Sequence, residues 1–280
     1  MIIDCHTHFY DPTRPQGVPW PRPGGSLYRP VLPEHYKALA IPEGVTGTVV
    51  VEASPWVEDN QWLLDLAAAE PFIVGCVGHL TPGDAEFGRH LARFARNPLY
   101  RGIRVGSTTC RELERESVLA DLEDLAARDL SLDLMVDPAT AAEVAGLARR
   151  IPGLRIVLNH GAGVRVDGKT PAGPWREAIG RMAAQANVCC KVSGLMELTG
   201  QQPAPTDLEH YVPALDALWG LFGADRLIYG SNWPVCERAT DYAAAQRIVS
   251  EYFQGKGADA LAKCMWRNAK MAYKWLQRSG

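Results

Sequence analysis

Short apolar or β-branched runs alternate with helix-like patterns along the whole chain. Apolar residues in the segment 58–70, for example, recur at helical spacing, with Trp62, Leu63 and Leu66 on one face. Strands that alternate with helices of this kind indicate parallel β–α–β units. The predicted strands are 2–6, 46–53, 72–79, 101–105, 131–136, 154–159, 187–193 and 226–230. The predicted helices are 34–40, 58–70, 84–96, 115–128, 138–150, 174–186, 207–222, 239–254 and a last one at 257–278.

Eight such units in 280 residues predict an α/β fold, a distorted (β/α)8 TIM barrel with an extra C-terminal helix. A doubly wound open sheet is the alternative. That fold usually carries a Gly-rich phosphate loop after its first strand, and His6-Thr7-His8 stands in this place. No internal linker is visible, so residues 1–280 are predicted to form a single domain.

Three long loops are predicted to leave the C-terminal ends of strands, at 9–33, 161–173 and 195–206. In a barrel these ends carry the active site, so the loops mark one face as the functional one. The first loop is rich in proline and contains Trp20 and Tyr28. It is interpreted either as a cover over the barrel mouth or as a solvated excursion.

Polar residues stand at the predicted strand ends, where barrel enzymes place their chemistry. His6 and His8 end the first strand and, two residues apart, project to the same side, where they can bind one metal ion or one substrate oxygen. Trp233 either stacks on a sugar ring or caps the barrel core. The other candidates along the chain are Glu52, His79, Arg104, Asp137, His160, Lys191 or Ser193, and Asn232.

Composition excludes several classes of partner. The net charge is −3 and the pI about 6.2, so no basic surplus exists to neutralise nucleic-acid phosphates. The sequence contains no run of about 18 apolar residues, so no membrane span is predicted. The chain enters its first strand without a signal peptide, and its seven cysteines form no Cys-x-x-Cys pair, which predicts reduced thiols and a cytoplasmic location. The expected partner is a small-molecule substrate. The sequence does not decide whether the protein forms a homo-oligomer.

Four segments, taken in order, resemble the amidohydrolase superfamily, and in particular the lactonase branch of the amidohydrolase type 2 proteins. That branch includes sugar-acid and pyrone-dicarboxylate lactonases. The segments are Ile3-Asp4-Cys5-His6-Thr7-His8-Phe9, Arg101-Gly102-Ile103-Arg104, Asn159-His160-Gly161 and Gly230-Ser231-Asn232-Trp233-Pro234-Val235.

The resemblance implies roles for these residues. His6 and His8 match the pair that binds a metal or the substrate carbonyl, and His160 matches the strand-6 histidine. Arg104 matches a position that binds an anionic or hydroxylated substrate, and Glu52, His79 and Trp233 are expected to line the same pocket. No lysine ends strand 4 and no histidine ends strand 5, which argues against a binuclear metal centre.

The sequence departs from the family at strand 8. Most of the superfamily has an aspartate there, as metal ligand and general base, whereas this chain has Asn232. An amide cannot take a proton from water near neutral pH. The candidates for a replacement base are Glu52, His79, Asp137 and a neutral His160.

The predicted function is hydrolysis of the ester bond of a small sugar-acid or muconolactone-like lactone. One divalent metal, zinc or manganese, held by His6, His8 and His160 would activate the carbonyl and lower the pKa of a bound water to roughly 7. Without metal, protonated His6 or His8 would stabilise the oxyanion together with Arg104. The alternatives are a metal-dependent decarboxylase of a small carboxylic acid and a non-catalytic binder of a sugar acid or lactone.

Overall fold

The computed structural model describes residues 1–278 and contains one sheet of eight parallel strands in chain order. The last strand returns to the first through a bridge between Thr7 and Trp233, beside which the backbone N–H of Asn232 donates to the His6 carbonyl at 2.8 Å. The predicted (β/α)8 barrel is therefore confirmed. The strands are β1 Ile3–Thr7, β2 Gly47–Val51, β3 Ile73–Gly78, β4 Tyr100–Val105, β5 Ser131–Leu134, β6 Arg155–Leu158, β7 Val188–Val192 and β8 Leu227–Tyr229.

Helices follow the strands and pack outside the barrel. Every observed strand end lies within two residues of its predicted position. The predicted final helix is instead divided, with a π-helical turn at Lys263–Arg267, and it ends at Lys274, which has a left-handed backbone. The helices are α1 Pro33–Ala40, α2 Val57–Ala69, α3 Phe87–Phe94, α4 Ser107–Cys110, α5 Glu116–Ala127, α6 Ala141–Arg150, α7 Gly173–Ala183, α8 Val212–Phe222, α9 Tyr242–Gly255, α10 Ala258–Ala262 and α11 Asn268–Tyr273.

The C-terminal segment packs at the barrel end where the strands begin. Tyr273 and Trp275 belong to one buried cluster with strand residues such as Ile3 and Val49. The Leu276 N–H donates to the carbonyl of Val74 at 2.9 Å, beside the start of β3. This end is covered, so access to the barrel interior is left to the opposite end, where the strands finish. Among residues 1–278, no helix combines the length and apolar character needed to cross a bilayer.

A buried ion pair lies inside the barrel. The Lys191 ammonium on β7 contacts the Asp133 carboxylate on β5 at 2.7 Å, and both side chains are fully buried. The Tyr273 hydroxyl donates to the same carboxylate at 2.9 Å. Burial raises the pKa of Asp133 and lowers that of Lys191, but the close contact between the two groups and the Tyr273 hydrogen bond favour the ionised pair. The pair fixes a positive charge directly beneath the end of β1.

Replacing Lys191 by methionine is expected to lower the free energy of unfolding by about 3–5 kcal/mol, because the Asp133 charge is left buried with Tyr273 as its remaining donor. Adding Asp133→Asn to this variant removes that charge and is expected to restore more than half of the loss. Urea unfolding at constant m-value measures both effects. A wild-type midpoint in the single variant would contradict the structural role of the pair.

Candidate active site

Three buried imidazole rings converge at the strand ends. The ring centroids of His6 and His8 are 5.0 Å apart, and those of His6 and His160 are 4.4 Å apart. The register between β1 and β2 shifts between Asp4 and Thr7, so simple alternation along β1 does not describe this stretch of strand. The structure nevertheless brings together the three histidines that the sequence selected.

Two glycines make room for these rings. A Cβ at Gly230 would lie 2.7 Å from the Cβ of His6, which is closer than side chains pack. A Cβ at Gly194 would lie 2.8 Å from Nδ1 of His160, and Gly194 also has a φ of 65°. Both glycines are thus required by the close approach of the site histidines rather than by a turn alone.

The backbone is strained at two site residues. His160 has a φ of 50° and Asn232 a φ of 62°, in the left-handed region that non-glycine residues rarely adopt. Strain of this kind costs of order 1–3 kcal/mol per residue and concentrates at functional sites. These two conformations aim the side chains of His160 and Asn232, which follow β6 and β8, toward the same cavity.

His8 has a defined proton position. Its Nδ1 lies 2.9 Å from the carbonyl oxygen of Val51, which only accepts, so Nδ1 carries the hydrogen. The Nε2 atom of His8 therefore has a free lone pair. Burial, followed by the charge of Arg104, lowers the pKa of His8 to about 4, so the ring is neutral at pH 7.

His6 has the opposite tautomer. Its Nδ1 lies 3.2 Å from the Lys191 ammonium, which only donates, so Nδ1 accepts and the neutral ring carries its hydrogen on Nε2. That Nε2 atom is buried and has no hydrogen-bond partner among residues 1–278. Burial and then the Lys191 charge hold the pKa of His6 well below its usual value. His6 consequently presents a neutral N–H group with no protein acceptor.

His160 is likewise neutral at pH 7. Its Nδ1 lies 3.1 Å from the Ser193 hydroxyl, and burial followed by the charges of Arg104 and Lys191 holds its pKa well below the usual value. The expectation that protonated His6 or His8 stabilises an oxyanion is not supported, since burial and two neighbouring cations oppose a positive ring. A neutral His6 N–H remains available for that role.

The three histidines are not arranged as a complete set of metal ligands in this structure. In the described part of the chain, no three His, Cys, Asp or Glu side chains are grouped so that they could hold one. A ligating histidine donates its second nitrogen to a carboxylate or carbonyl. His8 meets this condition, but His6 receives a hydrogen bond from Lys191 instead, and its outward nitrogen carries the proton.

Arg104 and Glu52 form a paired unit at the ends of β4 and β2. Arg104 Nε donates to Glu52 Oε1 and Arg104 Nη2 to the Glu52 carbonyl, both at 2.8 Å. Burial alone would raise the pKa of Glu52, but the Arg104 charge and the nearby His79 ring lower it to about 2. Glu52 is therefore an ionised anchor for Arg104. Its low pKa makes it a poor base, and we assign it no proton transfer.

Three other predicted residues lie away from the converging histidines or serve local structure. Trp233 is fully buried, packs near Phe9 and donates from Nε1 to Glu237 at 2.7 Å, so its ring belongs to the core. Asp137 is partly exposed and accepts from the Ala139 N–H as the cap of a short helical turn. His79 is half-buried and contacts Glu52 Oε1 at 3.8 Å rather than another imidazole.

Glu197 is a site residue that the sequence reasoning missed. It lies in the loop after β7, where Asn232 Nδ2 donates to its Oε1 at 2.5 Å. Its Oε2 is buried without a hydrogen-bond partner within residues 1–278, and burial raises its pKa. A signal was available, since Glu197 is the one acidic residue in the predicted loop 195–206.

A cavity of about 240 Å³ lies beside Glu197. Asn232, His160 and Asn159 also line it, and both side-chain polar atoms of Asn159 are buried without a partner in the described chain. Buried polar atoms of this kind normally bind something. Together with Glu197 Oε2, they form a set of donors and acceptors that a small polar ligand can satisfy, and the ring of His6 lies next to this set, 4.4 Å from the ring of His160.

The long first loop packs over this end of the barrel. The ring of Trp20 lies 6.0 Å from the ring of His8 and 5.3 Å from that of Tyr10. This geometry agrees with the interpretation of the loop 9–33 as a cover rather than a solvated excursion.

A family model described as amidohydrolase matches residues 3–275. The chain belongs to the amidohydrolase family. It is 33% identical to an L-fucono-1,5-lactonase of Burkholderia ambifaria, over 99% of this chain and 97% of the relative. It is 28% identical to an L-fucono-1,5-lactonase of Burkholderia multivorans, over 95% of this chain and 93% of the relative.

Solved structures agree with this assignment. An amidohydrolase of Burkholderia multivorans with bound zinc superposes with a TM-score of 0.88 at 26% identity, covering 99% of this chain and 100% of that one. A scaffold of this kind can thus hold a divalent metal. A manganese-bound dihydroxybenzoic acid decarboxylase of Polaromonas has a TM-score of 0.64 at 17% identity, covering 99% of this chain and 98% of that one, which establishes a shared fold alone.

Proposed function

We propose that the protein hydrolyses the ester bond of a small sugar-acid lactone of the L-fucono-1,5-lactone type. The two full-length relatives named for this activity support the substrate class. The observation that carries the chemistry is the unpartnered Nε2–H of His6, held in that tautomer by Lys191. A buried, preoriented donor is what a carbonyl oxygen needs as it gains negative charge.

Arg104 supplies the second electrophilic group. Its guanidinium lies beside His8, since Arg104 Nη2 and His8 Nδ1 both contact the Glu52 carbonyl, at 2.8 and 3.1 Å. Glu52 engages Nε and Nη2, and Nη1 has no partner among residues 1–278, so Nη1 is the group that would bind a substrate oxygen. His6 and Arg104 would together stabilise the tetrahedral intermediate that forms when water adds to the lactone carbonyl.

An ester suits this site better than an amide. The leaving group of a lactone is an alkoxide, which departs more readily than the nitrogen anion of an amide and needs less help from a general acid. The imidazoles of the site are neutral with low pKa values, so these rings offer little acid catalysis near pH 7. The strength of the site lies in electrostatic stabilisation of negative charge, which is the larger requirement in ester hydrolysis.

We propose that this hydrolysis does not depend on a metal ion. The zinc of the Burkholderia multivorans structure supports metal binding by the scaffold, and His8 and His160 are the residues here that would hold an ion. When bound, such an ion would polarise the carbonyl. In this chain the His6 N–H and the charges of Lys191 and Arg104 would polarise the carbonyl instead.

The two alternatives have weaker support. Decarboxylases share the fold at low identity, which carries no argument about the reaction. The absence of a strand-8 carboxylate favours a non-catalytic binder, but Glu197 places a carboxylate beside Asn232. Both alternatives predict outcomes that one substrate comparison separates.

Purified protein, treated with a chelator, is expected to release acid from L-fucono-1,5-lactone and related six-membered sugar-acid lactones in a pH-indicator assay. It is expected to release no carbon dioxide from dihydroxybenzoates. Carbon dioxide release without lactone turnover would support the decarboxylase. Lactone-induced stabilisation in thermal melts without turnover would support the binder.

A further inference from the structure

We propose that Glu197 is the general base of this site, in place of the carboxylate that Asn232 lacks. This inference rests on the proposed lactone hydrolysis. Glu197 would take the proton from the attacking water, and Asn232 would act as a positioning residue that orients the carboxylate through its amide. The carboxylate has moved from the end of β8 to the loop that follows β7.

The contact between the two side chains carries the argument. Asn232 Nδ2 donates to Glu197 Oε1 at 2.5 Å, so the amide fixes one carboxylate oxygen and neutralises none of its charge. The other oxygen, Oε2, is buried and has no protein partner among residues 1–278. A carboxylate held by one oxygen with the second unpaired is placed to accept a proton.

The location of Glu197 agrees with this role. It lines the same cavity of about 240 Å³ as His160, Asn159 and Asn232. The cavity has room for a small sugar ring and a water molecule. The strained backbone of Asn232, with a φ of 62°, is then explained by the need to direct its amide at Glu197.

The other candidate bases are engaged elsewhere. Glu52 is ion-paired to Arg104, and the carboxylate of Asp133 is ion-paired to Lys191 and accepts a hydrogen bond from Tyr273. Asp137 is a partly exposed helix cap. A base works best with a pKa near the working pH.

Imidazole bases are the remaining choice. Burial and neighbouring cations hold the pKa of His8 at about 4 and that of His160 well below its usual range, so both are weak bases. Burial raises the pKa of Glu197, which moves it toward the working pH. Glu197 is therefore favoured over the rings of His8 and His160 on both pairing and basicity, and the His79 ring faces Glu52 Oε1 at 3.8 Å rather than the cavity beside Glu197.

One proton moves from water to Glu197 and from Glu197 to the leaving oxygen during the hydrolysis. The water oxygen bonds to the lactone carbonyl carbon while one water proton moves to the Glu197 carboxylate, and the carbonyl oxygen becomes an oxyanion facing His6 and Arg104. The oxyanion then re-forms the carbonyl as the bond to the ring oxygen breaks. Glu197 returns its proton to that oxygen, which becomes the hydroxyl of the open hydroxy acid.

The test is Glu197→Gln, which keeps an acceptor for the Asn232 amide and removes the base. We expect kcat on L-fucono-1,5-lactone to fall about 10²-fold or more, with KM changed less than fivefold. Glu209→Gln, which neutralises an exposed carboxylate on the neighbouring turn at Leu208–His210, is the matched control and is expected to keep wild-type kcat.

A carboxylate swap keeps the test independent of misfolding. The double variant Glu197→Gln with Asn232→Asp returns the carboxylate to the end of β8 opposite an amide, and is expected to regain at least tenfold of the lost kcat. No recovery would overturn the exchange of roles between these positions.

Two results separate this inference from the proposed function. Wild-type kcat in Glu197→Gln, alongside an active wild-type enzyme, would overturn the role of Glu197 and leave the lactonase standing. A wild-type protein without turnover on the lactone panel would overturn the proposed function and this inference with it.

Discussion

Replacing Arg104 by methionine is expected to lower kcat/KM for a sugar-acid lactone by about 10³-fold, at the upper end of what one oxyanion-stabilising group contributes. The variant loses the guanidinium that would face the substrate. It also leaves the Glu52 carboxylate buried without its partner, so its negative charge opposes the developing oxyanion. Steady-state kinetics on L-fucono-1,5-lactone measure the effect.

Two further variants separate these causes. Arg104→Lys keeps the charge but cannot reproduce the two contacts that Nε and Nη2 make with Glu52. We expect it to recover only part of the rate. Arg104→Met with Glu52→Gln removes the unpaired charge and is expected to recover stability but not activity. A loss below fivefold in Arg104→Met would contradict a role in catalysis.

Replacing His6 by phenylalanine is expected to lower kcat by about 10³-fold, because it removes the Nε2–H donor while keeping a ring of similar size. KM is expected to change much less, since this donor matters mainly once the oxygen carries charge. The fold is retained only if the Lys191 ammonium keeps its contact with Asp133, so unfolding is measured in parallel.

His6→Gln is the matched control, since its amide can offer an N–H to the same oxygen. It is expected to be at least tenfold more active than His6→Phe. Equal activity of the two variants, or wild-type kcat in His6→Phe, would show that the donor is not used.

The barrel could be predicted from the sequence because its strands are buried on both sides. In the sequence, parallel strands of this kind are short apolar runs between helical patterns. Each strand can therefore be recognised from its own residues, without knowing which strands lie beside it. The C-terminal segment was less predictable. Its helix ends at Lys274 and its following residues pack under the barrel, and both features depend on contacts with distant strands.

The site was predictable where side chains project from strand ends. His6, His8 and His160 converge because each sits where a strand or its exit meets the open face. Trp233 stands at the same kind of position, yet it turns into the core toward Phe9. A strand-end position therefore fixes the neighbourhood of a residue but not the direction of its side chain.

Proton positions and pairings could not be predicted. The tautomer of His6 depends on Lys191, and the charge of Lys191 depends on Asp133, residues far apart in the chain. The sequence named Lys191 only as one of two strand-7 candidates, and Asp133 not at all. Glu197 was missed because loop residues follow no periodicity that would place them relative to Asn232.

The most direct measurement is kcat/KM of the metal-stripped wild-type protein on L-fucono-1,5-lactone, corrected for spontaneous hydrolysis, with and without added zinc. We predict a kcat/KM of at least about 10⁴ M⁻¹s⁻¹, within the usual range for enzymes. We predict that added zinc does not increase this value. Hydrolysis no faster than buffer under both conditions would contradict the account. Turnover that appears only with zinc would contradict its metal-independent chemistry.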